Sequence, residues 1–367
     1  MRAVVLAGGG TAGHISPLLA LADTLRERHA GIETVVLGTQ AGLEADLVPA
    51  RGYALTPIPK VPMPRRPSGD LLRLPGRLRA AVAAAATAIS RSGAEAVVGF
   101  GGYVSTPAYL AARRLSVPIV IHEQNARPGL ANRLGAYLTP HVAVTFASTP
   151  LRHSTVTGMP LRREIRELDR AARRADAAER LGLDPAGTTV LVTGGSLGAQ
   201  RLNEAFSGAA ADLVAAGLQV VHITGRGKEF TPLLPEGPGR YVVLAYADRM
   251  ELCLAAADLV VARAGANMVC ELSAVGAPAV FVPLPIGNGE QRLNAKDVVD
   301  AGGALVAEDS LVSQTWVQEV VLPLAQDRAR LARMAAAAAS VGVRDGHERL
   351  ADLVERAAGS RSSGRSR

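Results

Sequence analysis

Residues 3–14 read AVVLAGGGTAGH, and residues 189–199 read TVLVTGGSLGA. Each stretch is a short apolar run rich in β-branched residues that ends in closely spaced glycines, and helical sequence follows each one. A buried strand that enters a helix through a glycine-rich turn is typical of a doubly wound α/β domain. Because this pattern opens once in each half of the chain, the sequence predicts an α/β fold with two Rossmann-like domains.

Further apolar runs alternate with helical sequence along both halves, which predicts parallel sheets. The other predicted strands are residues 34–37, 96–99, 118–122, 220–224, 242–245, 259–262 and 279–282. Glycine and proline interrupt the pattern at residues 158–160, so we expect one domain over residues 1–161 and another over 162–341. An Ala- and Arg-rich helix at 169–181 would open the second domain. Residues 359–367 contain only Ser, Gly and Arg and are expected to be disordered.

Positive charge is concentrated in the first half of the chain. The net charge is +7, and residues 1–162 hold 17 Lys and Arg against 8 Asp and Glu, a balance of +9. The first half is therefore expected to face nucleic acid, an anionic bilayer or a phosphorylated substrate. Aromatic residues make up only 3% of the chain, which argues against a stacking surface for single-stranded nucleic acid.

The two cysteines, Cys253 and Cys270, exclude a disulfide scaffold and favour a reducing compartment. The apolar run at residues 3–7 is too short for the core of a signal peptide. The longest uncharged run of small residues, 80–90, is well short of the roughly 20 residues of a spanning helix. We expect a protein that is soluble or lies on a membrane without crossing it.

The first glycine loop also fits a dinucleotide-binding pattern, because Gly8, Gly10 and Gly13 form G-x-G-x-x-G between a strand and a helix. That function requires an acidic residue at the end of the second strand, where residues 36–39 read VLGT. The glycine loops share a more general capacity, since backbone N–H groups and a helix N-terminus can both face phosphate. For any single loop, a tight strand-to-helix turn without a ligand is the alternative interpretation.

The ordered series of loops resembles the MurG family of peptidoglycan glycosyltransferases. The matching stretches are residues 9–14 (GGTAGH), 101–105 (GGYVS), 122–125 (HEQN), 194–199 (GGSLGA), 263–271 (RAGANMVCE), and Gln291 with Asn294. The resemblance implies a GT-B architecture with a cleft between the domains. It also implies transfer of N-acetylglucosamine from UDP-GlcNAc to undecaprenyl-pyrophosphoryl-MurNAc-pentapeptide, with inversion at the anomeric carbon. The first domain, rejoined by a C-terminal helix over about residues 342–356, would bind acceptor and membrane, and the second would bind the donor.

The resemblance also implies a set of donor contacts. Glu271 would accept hydrogen bonds from both ribose hydroxyls, and the side-chain amides of Asn125 and Gln291 would form hydrogen bonds with hydroxyls of the transferred sugar. Arg162 would add charge and Ser196 a hydroxyl near the diphosphate, while the backbone around Ala247 would hold the uracil. The remaining implied contacts are Thr11, Ala12 and Gly13 on the first loop, and Ala266, Asn267, Met268, Val269 and Cys270 at a helix start facing the diphosphate.

Acceptor binding and catalysis are implied on the first domain. Its pyrophosphate would lie against Gly10, Gly13, Gly102, Tyr103 and Ser105. His14 has the ordinary pKa range for a general base near neutrality, and Glu123 is the competing candidate. The chain contains no Asp-x-Asp sequence, so we expect no carboxylate-held metal and no tightly bound cofactor, with UDP-GlcNAc acting as a substrate.

Four residues depart from the usual family pattern. Ala264 and Cys270 stand where serine is common, Met159 stands where asparagine is common, and Glu290 precedes Gln291 where some members have two amides. These departures bear on the fine hydrogen bonding of the donor, not on the reaction class. Cys270 is interpreted as a small core-like substitute for serine rather than a reactive thiol.

A basic segment suggests how the first domain meets a membrane. Residues 60–79 read KVPMPRRPSGDLLRLPGRLR, in which leucines interleave with arginines: Leu71, Leu72, Leu74 and Leu78 with Arg73, Arg77 and Arg79. This pattern predicts docking on an anionic bilayer, and a surface helix whose leucines face the core is the alternative. The resemblance implies a peripheral location at the cytoplasmic face of the bacterial membrane. Cell-wall and division proteins are further candidate partners, and nucleic acid is not.

Two other functions remain open from the sequence. One is a cytosolic UDP-sugar enzyme, either a glycosyltransferase with a soluble acceptor or an epimerase. The other is a membrane-associated, nucleotide-binding scaffold without catalytic activity. The loop at residues 122–125 and the basic leucine segment argue against the cytosolic enzyme, and a transfer assay with purified components would separate the enzyme from the scaffold.

Overall fold

The computed structural model describes residues 1–61, 70–195, 198–286 and 288–364, and the side chains of residues 70–73 and 361–364 lie outside this description. The chain forms two compact units. One comprises Met1–Arg162 together with the chain from Arg344 onward, and the other comprises Arg163–Val343. The division after Arg162 lies one residue beyond the boundary expected from the sequence.

The described residues of the first unit form one parallel sheet in the order β3-β2-β1-β4-β5-β6-β7. The strands are β1 (Ala3–Ala7), β2 (Glu33–Gly38), β3 (Ala54–Pro57), β4 (Ala96–Gly99), β5 (Ile119–Glu123), β6 (Val142–Val144) and β7 (Ser154–Val156). The helices before the domain boundary are α1 (Ala12–Arg28), α2 (Glu44–Ala50), α3 (Asp70–Ser92), α4 (Ser105–Arg114) and α5 (Leu130–Gly135).

The described residues of the second unit form a parallel sheet in the order β10-β9-β8-β11-β12-β13. Its strands are β8 (Thr189–Thr193), β9 (Gln219–Ile223), β10 (Arg240–Leu244), β11 (Leu259–Ala262), β12 (Ala279–Phe281) and β13 (Ala304–Val306). Its helices are α6 (Arg163–Arg166), α7 (Arg170–Leu181), α8 (Gln200–Gly208), α9 (Ala210–Ala215), α10 (Met250–Ala256), α11 (Ala266–Val275), α12 (Glu290–Asn294), α13 (Lys296–Asp300), α14 (Gln314–Trp316), α15 (Leu322–Gln326) and α16 (Arg328–Ser340), with a 3-10 turn at Asp309–Leu311 and a π-helical turn at Val317–Val321.

The central strands are apolar along their whole length because helices cover both faces of each sheet. All five residues of β1 are buried, as are all five of β8. In the first unit, α3 and α4 pack on one face and α1 packs on the other. Ala7 at the end of β1 is in register with Leu37 of β2 and Gly99 of β4. The loops that follow these three strands therefore meet at one edge of the sheet.

The chain returns to the first unit through α17 (Gly346–Gly364). Leu350 and Val354 are fully buried in the same core cluster as Leu18 of α1. Arg28 binds Asp352 at 2.7 Å and also pairs with Glu348 and Glu355. The helix continues to Gly364, so its last residues overlap the segment for which the sequence predicts disorder. Residues 365–367 lie outside the described chain.

Several elements differ from the sequence-based prediction in extent. The prediction missed β3, β6, β7 and β13, which are only three or four residues long and too short to show a period. Helix α1 begins at Ala12 and contains Pro17 in its second turn, where the proline ring leaves the Gly13 carbonyl without its usual helical donor. Asp169 is the N-cap of α7, where its side chain accepts a hydrogen bond from the Ala172 N–H.

Candidate active site

His14 lies in the first turn of α1, directly beyond β1. Its Nδ1 atom is 3.0 Å from the carbonyl oxygen of Gly9 and 3.2 Å from Oγ1 of Thr11. Because a carbonyl oxygen can only accept, we assign the proton of the neutral imidazole to Nδ1. Nε2 then has a free lone pair, and it faces Gly101, where a Cβ would lie 3.1 Å from it.

The surroundings of His14 keep its imidazole neutral. Burial lowers the pKa of His14 below its ordinary value of 6.5, and this effect exceeds the opposing effects of the Gly9 hydrogen bond and of the Glu123 and Glu44 charges. A neutral imidazole with an unprotonated Nε2 is the state that a general base requires at pH 7.

The second glycine loop packs against the first. Gly101 and Gly102 both have left-handed backbones, with φ of 97° and 79°, and a Cβ on Gly102 would lie 2.5 Å from the Gly9 carbonyl oxygen. Ser105 is fully buried; its Oγ accepts from the Gly101 N–H at 2.9 Å and faces the carbonyl oxygens of Ala7 and Gly101. The prediction that Ser105 contacts the acceptor is therefore wrong, because its hydroxyl holds the loop in place.

Glu123 ends β5 and organises the loop that follows. Its buried carboxylate accepts the N–H groups of Asn125 at 2.9 Å and Gly129 at 3.0 Å, and the side-chain amide of Asn132 at 2.9 Å. A fourth, longer contact from Asn125 Nδ2 measures 3.4 Å. Both carboxylate oxygens are thus occupied within the protein, so the geometry favours His14 over Glu123 as the base.

His122, the first residue of the HEQN stretch, has a structural role. Nε2 lies 3.0 Å from the carbonyl oxygen of Gly158, and Nδ1 lies 3.0 Å from Nε2 of Gln124. Burial lowers the pKa of His122 to about 4, so the ring is a neutral link between β5 and the chain after β7. The neighbouring Met159 is buried, so this departure from the usual asparagine fills apolar space.

Glu44, at the start of α2, is a residue that the sequence analysis missed. Its carboxylate is fully buried; Oε2 accepts from the Gly10 N–H at 3.0 Å, and Oε1 accepts from the Thr39 N–H at 2.9 Å and the Thr39 hydroxyl at 2.7 Å. The Gly10 amide is therefore not available to a pyrophosphate, contrary to prediction, because a buried carboxylate must be satisfied. No motif marks Glu44 in the sequence.

A cavity of about 480 Å³ opens beside this loop. Its lining includes Gly9, Gly10, Asp46, Lys60 and Tyr103. Tyr103 is exposed, and the Lys60 ammonium lies 5.2 Å from the centre of its ring. The cavity thus adjoins the loop that carries His14 and brings a positive charge to it. Thr11 is exposed, and Ala12 and Gly13 are partly buried at the start of α1.

In the second unit, the start of α11 offers backbone donors. The first hydrogen bond within α11 joins the Val269 N–H to the Gly265 carbonyl at 3.0 Å, so the amides of Ala266, Asn267 and Met268 precede it. The first turn of this helix contains no acidic residue, which leaves the positive end of its dipole uncompensated there. Asn294 donates to the carbonyl of Ala264 at 3.3 Å and steadies the turn.

The remaining residues that the sequence analysis assigned to donor binding belong to the second unit or lie at the domain boundary. Asn125, in the first unit, is the exception. Glu271 is buried in α11, and Gln291 Oε1 accepts from the Leu284 N–H at 3.0 Å. Ala247 is partly buried between β10 and α10, Arg162 is partly buried at the domain boundary, and Ser196 lies outside the described residues. Asn125, the exception, belongs to the loop held by Glu123. Burial, with the charges of Glu271 and Asp297, raises the pKa of Cys270, so this thiol stays protonated.

The predicted membrane segment is described only in part, since the side chains of Leu71, Leu72 and Arg73 lie outside the description. Leu74 and Arg77 are partly buried and Arg79 is exposed. Leu78 packs against the core, so the prediction that it enters a bilayer is wrong. None of the described helices is both long and apolar enough to cross a membrane.

An exposed apolar surface that the sequence analysis missed lies at α5. Leu130 is 66% exposed and Tyr137 is 70% exposed, and Leu134 lies between them on the chain. The Arg152 guanidinium stacks over the Tyr137 ring at 5.0 Å. Residues 124–162 contain four arginines and no acidic residue, so this surface is both apolar and basic.

Among the described residues, no group of three His, Cys, Asp or Glu side chains is placed to hold a metal ion. The first unit offers a neutral imidazole, and the second unit offers the N-terminal amides of α11. Two parallel doubly wound units with these features define a glycosyltransferase of the GT-B class, as the sequence predicts.

Comparisons with known proteins specify the family. Residues 4–144 match the glycosyltransferase family 28 N-terminal domain, and residues 189–350 match its C-terminal domain. A UDP-N-acetylglucosamine--N-acetylmuramyl-(pentapeptide) pyrophosphoryl-undecaprenol N-acetylglucosamine transferase of Nocardioides sp. is 56% identical over 96% of this chain and 97% of its own length. The protein of the same name from Streptomyces coelicolor is 53% identical over 98% and 99%. The chain therefore belongs to this transferase family, which confirms the resemblance seen in the sequence.

Solved structures agree with this placement. The crystal structure of Acinetobacter baumannii MurG is 29% identical, with a TM-score of 0.76 over 97% of this chain and 100% of that one. The calicheamicin glycosyltransferase CalG4 is 20% identical with a TM-score of 0.67 over 98% and 99%, and it shares the fold alone.

Proposed function

We propose that this chain transfers N-acetylglucosamine from UDP-GlcNAc to undecaprenyl-pyrophosphoryl-MurNAc-pentapeptide, with inversion at the anomeric carbon. The observation that carries the proposal is 56% identity over nearly the full length of a relative whose name states this transfer. The geometry of His14 supports it, because an acceptor hydroxyl needs a base as it attacks.

The reaction is a single displacement. The acceptor hydroxyl oxygen bonds to the anomeric carbon of N-acetylglucosamine while its proton passes to Nε2 of His14. The bond between the anomeric carbon and the UDP oxygen breaks, and its electron pair leaves with the diphosphate. Attack opposite to the leaving group inverts the anomeric centre. The imidazolium that forms keeps its Nδ1 proton on the Gly9 carbonyl, 3.0 Å away.

The second unit is the donor domain in this proposal. The first amides of α11 meet the leaving diphosphate, where the helix dipole stabilises the developing charge. Glu271 accepts the two ribose hydroxyls, and Gln291, whose carbonyl is held by Leu284, offers its NH₂ group to the sugar. Ala247 meets the uracil edge, and Arg162, Ser196 and Asn125 complete the donor contacts with Thr11, Ala12 and Gly13.

The first unit is the acceptor domain. The exposed Tyr103 lines the cavity beside the first glycine loop, and the start of α1 around Gly13 and the Gly102 backbone are the other acceptor contacts of this proposal. Lys60 supplies positive charge near the acceptor pyrophosphate. Gly10 contributes shape rather than an amide, because Glu44 already binds its N–H.

The membrane partner is an anionic bilayer at the cytoplasmic face of the bacterial membrane, where the protein is peripheral. Leu130, Leu134 and Tyr137 supply exposed apolar area, and Arg133 and Arg152 supply charge beside it. Helices α3, α4 and α5 pack in succession in the first unit, so the exposed Arg79 of α3 belongs to the same group of helices. Cell-wall and division proteins remain predicted partners.

Incubation with radiolabelled UDP-GlcNAc and a short-chain analogue of the lipid acceptor tests the proposal. We expect label in the lipid product and one UDP released for each sugar transferred. Release of UDP without labelled lipid, or label transferred only to soluble alcohols, would overturn it.

A further inference from the structure

A single peptide group connects Glu44 to His14. The Gly10 N–H donates to Oε2 of Glu44 at 3.0 Å, and the Gly9 C=O of the same peptide group accepts from Nδ1 of His14 at 3.0 Å. The order is therefore carboxylate, peptide N–H, peptide C=O and imidazole. The negative charge of Glu44 and the imidazole of His14 therefore lie on opposite sides of one peptide group.

The Glu44 carboxylate accepts hydrogen bonds from neutral groups. Its donors in the described chain are the Gly10 N–H, the N–H and hydroxyl of Thr39, and its own backbone N–H. Burial raises the pKa of Glu44, but the hydrogen bonds from Thr39 and Gly10 outweigh it and the net pKa is lowered, so the group is ionised at neutral pH. Glycine at position 9 leaves room for it, because a Cβ there would lie 2.7 Å from Oε1.

The donors of Gly10 and Thr39 require a carboxylate, because each of its oxygens accepts at least one hydrogen bond and a glutamine amide could accept at only one of the two positions. The charge that this carboxylate carries lies one peptide group away from the base. We propose that Glu44 is a positioning residue for His14 and acts through the Gly9–Gly10 peptide group; this inference rests on the base role of His14 in the proposed function.

Two physical effects follow from this relay, by which we mean the hydrogen bonds that run from Glu44 through the Gly9–Gly10 peptide group to His14. A carboxylate on the N–H polarises the amide, which makes the C=O a stronger acceptor and fixes the tautomer and orientation of the imidazole. The negative charge also stabilises the imidazolium that forms when Nε2 takes the acceptor proton. The charged groups acting on His14 are Glu44 from α2 and Glu123 from β5, and Glu123 is already occupied by the 125–132 loop.

The variant Glu44→Gln tests the charge with little change in size. We expect kcat to fall about tenfold to a hundredfold, the range for partners that orient a functional histidine, with KM for both substrates little changed. The midpoint of the acid limb of kcat/KM, and the His14 titration followed by NMR of ¹³C-labelled histidine, should both move to lower pH. Loop packing alone would lower kcat without moving either midpoint.

The matched control is Glu33→Gln, which removes one exposed charge at the start of β2, outside the cavity, and should leave the His14 midpoint unchanged. A folded Glu44→Gln protein with the wild-type midpoint and kcat would overturn the proposal. If that variant does not fold, the wild-type protein can still test the proposal by NMR. The Gly10 amide resonance should titrate with the His14 midpoint, and an amide resonance that does not change with pH would refute the relay. Failure of the wild-type protein to transfer sugar would remove the proposed function, while the NMR titrations would still test the relay.

Discussion

Nε2 of His14 faces the Cα of Gly101, and a Cβ added at Gly101 would lie 3.1 Å from this nitrogen. A side chain at residue 101 would therefore crowd the nitrogen that takes the acceptor proton in the proposed reaction. The backbone at Gly101 also has a φ of 97°, which other residues adopt at a cost. The absence of a side chain thus serves both the turn and the access to His14.

The variant Gly101→Ala should lower turnover by at least about tenfold, because the methyl group obstructs the lone pair of His14 that takes the proton. The control is Gly52→Ala, which has a similar φ of 76° but open space around the added Cβ. Both variants should lose roughly 1–3 kcal/mol of unfolding free energy from backbone strain, but only Gly101→Ala should lose kcat. Equal activity of the two variants would show that the acceptor reaches His14 from another side.

The variants His14→Ala and Glu123→Gln should separate chemistry from structure. His14→Ala should lower kcat by about 10²–10⁴, the usual contribution of a general base, with little change in UDP affinity. Glu123→Gln should mainly lower the unfolding free energy, by roughly 1.5–3 kcal/mol, because an amide cannot accept all the donors of the 125–132 loop. Thermal melting and steady-state kinetics check both. A larger kcat loss in a stably folded Glu123→Gln protein would reverse these roles.

The sequence was sufficient to predict the parallel sheets because β1 and β8 are long apolar runs followed by glycines, and that signal is local. It was also sufficient to place His14 directly after a glycine loop, at the start of the helix that follows β1. Strands such as β6, with three residues, carry too little pattern to be recognised. The C-terminal helix was predicted to return to the first unit, yet its extent depends on anchoring by Leu350 and Val354, which composition does not show.

The functional residues that the sequence analysis missed or misassigned depend on contacts between distant segments. Glu44 is 34 residues from Gly10 along the chain, and only the folded sheet brings the carboxylate to that amide. Ser105 has the residue type of a phosphate ligand, but its hydroxyl closes its own loop. Leu78 has the pattern of a membrane-facing residue, and only packing shows that it joins the core.

The variant Glu271→Gln should weaken UDP-GlcNAc binding by roughly 1.5–3 kcal/mol, the contribution of hydrogen bonds to a charged group. Gln keeps the shape of the side chain and loses the charge that receives the ribose hydroxyls. Calorimetry with UDP measures the effect directly. Glu319→Gln, an exposed carboxylate in the same unit, is the matched control and should bind UDP normally. Unchanged affinity in Glu271→Gln would exclude the ribose assignment.

Two buried histidines predict that the protein loses stability in acid. Burial lowers the pKa of His122 to about 4 and that of His222 to about 3, from an ordinary value of 6.5. Their contribution is complete above pH 6.5 and falls as the pH drops toward 4, because the unfolded chain takes up protons that the native rings refuse. For His122 the loss reaches roughly 3 kcal/mol.

The variant His222→Gln tests this dependence in the second unit. Nε2 of His222 lies 3.0 Å from Oδ1 of Asn203, and Nδ1 lies 2.8 Å from the hydroxyl of Tyr241, so a glutamine amide can replace one donor and one acceptor. Denaturant melts between pH 7 and pH 4 should show a lower starting stability and a flatter pH dependence than in the wild type. An identical slope in both proteins would contradict the assignment of a neutral, buried His222.

Vesicle binding should separate the apolar and the basic contributions of the α5 surface. Replacing Leu130 and Leu134 by Ser should weaken binding to anionic vesicles at every salt concentration, because apolar burial is not screened. Replacing Arg133 and Arg152 by Gln should weaken it roughly thirtyfold at low salt, at about 1 kcal/mol for each charge, and less as the salt concentration rises.

The same assay compares this surface with other basic positions of the first unit. Replacing Arg113 and Arg114 by Gln removes two exposed charges from the C-terminal turn of α4 and should leave binding nearly unchanged. Replacing Arg77 and Arg79 by Gln tests the α3 segment in parallel. All four variants should keep their melting temperature and their activity on a short-chain, water-soluble acceptor, because none of these side chains lies in the site around His14. If the variant with serine at positions 130 and 134 binds vesicles as the wild type does, α5 does not face the bilayer. If only the variant at Arg77 and Arg79 loses vesicle binding, the docking surface is on α3.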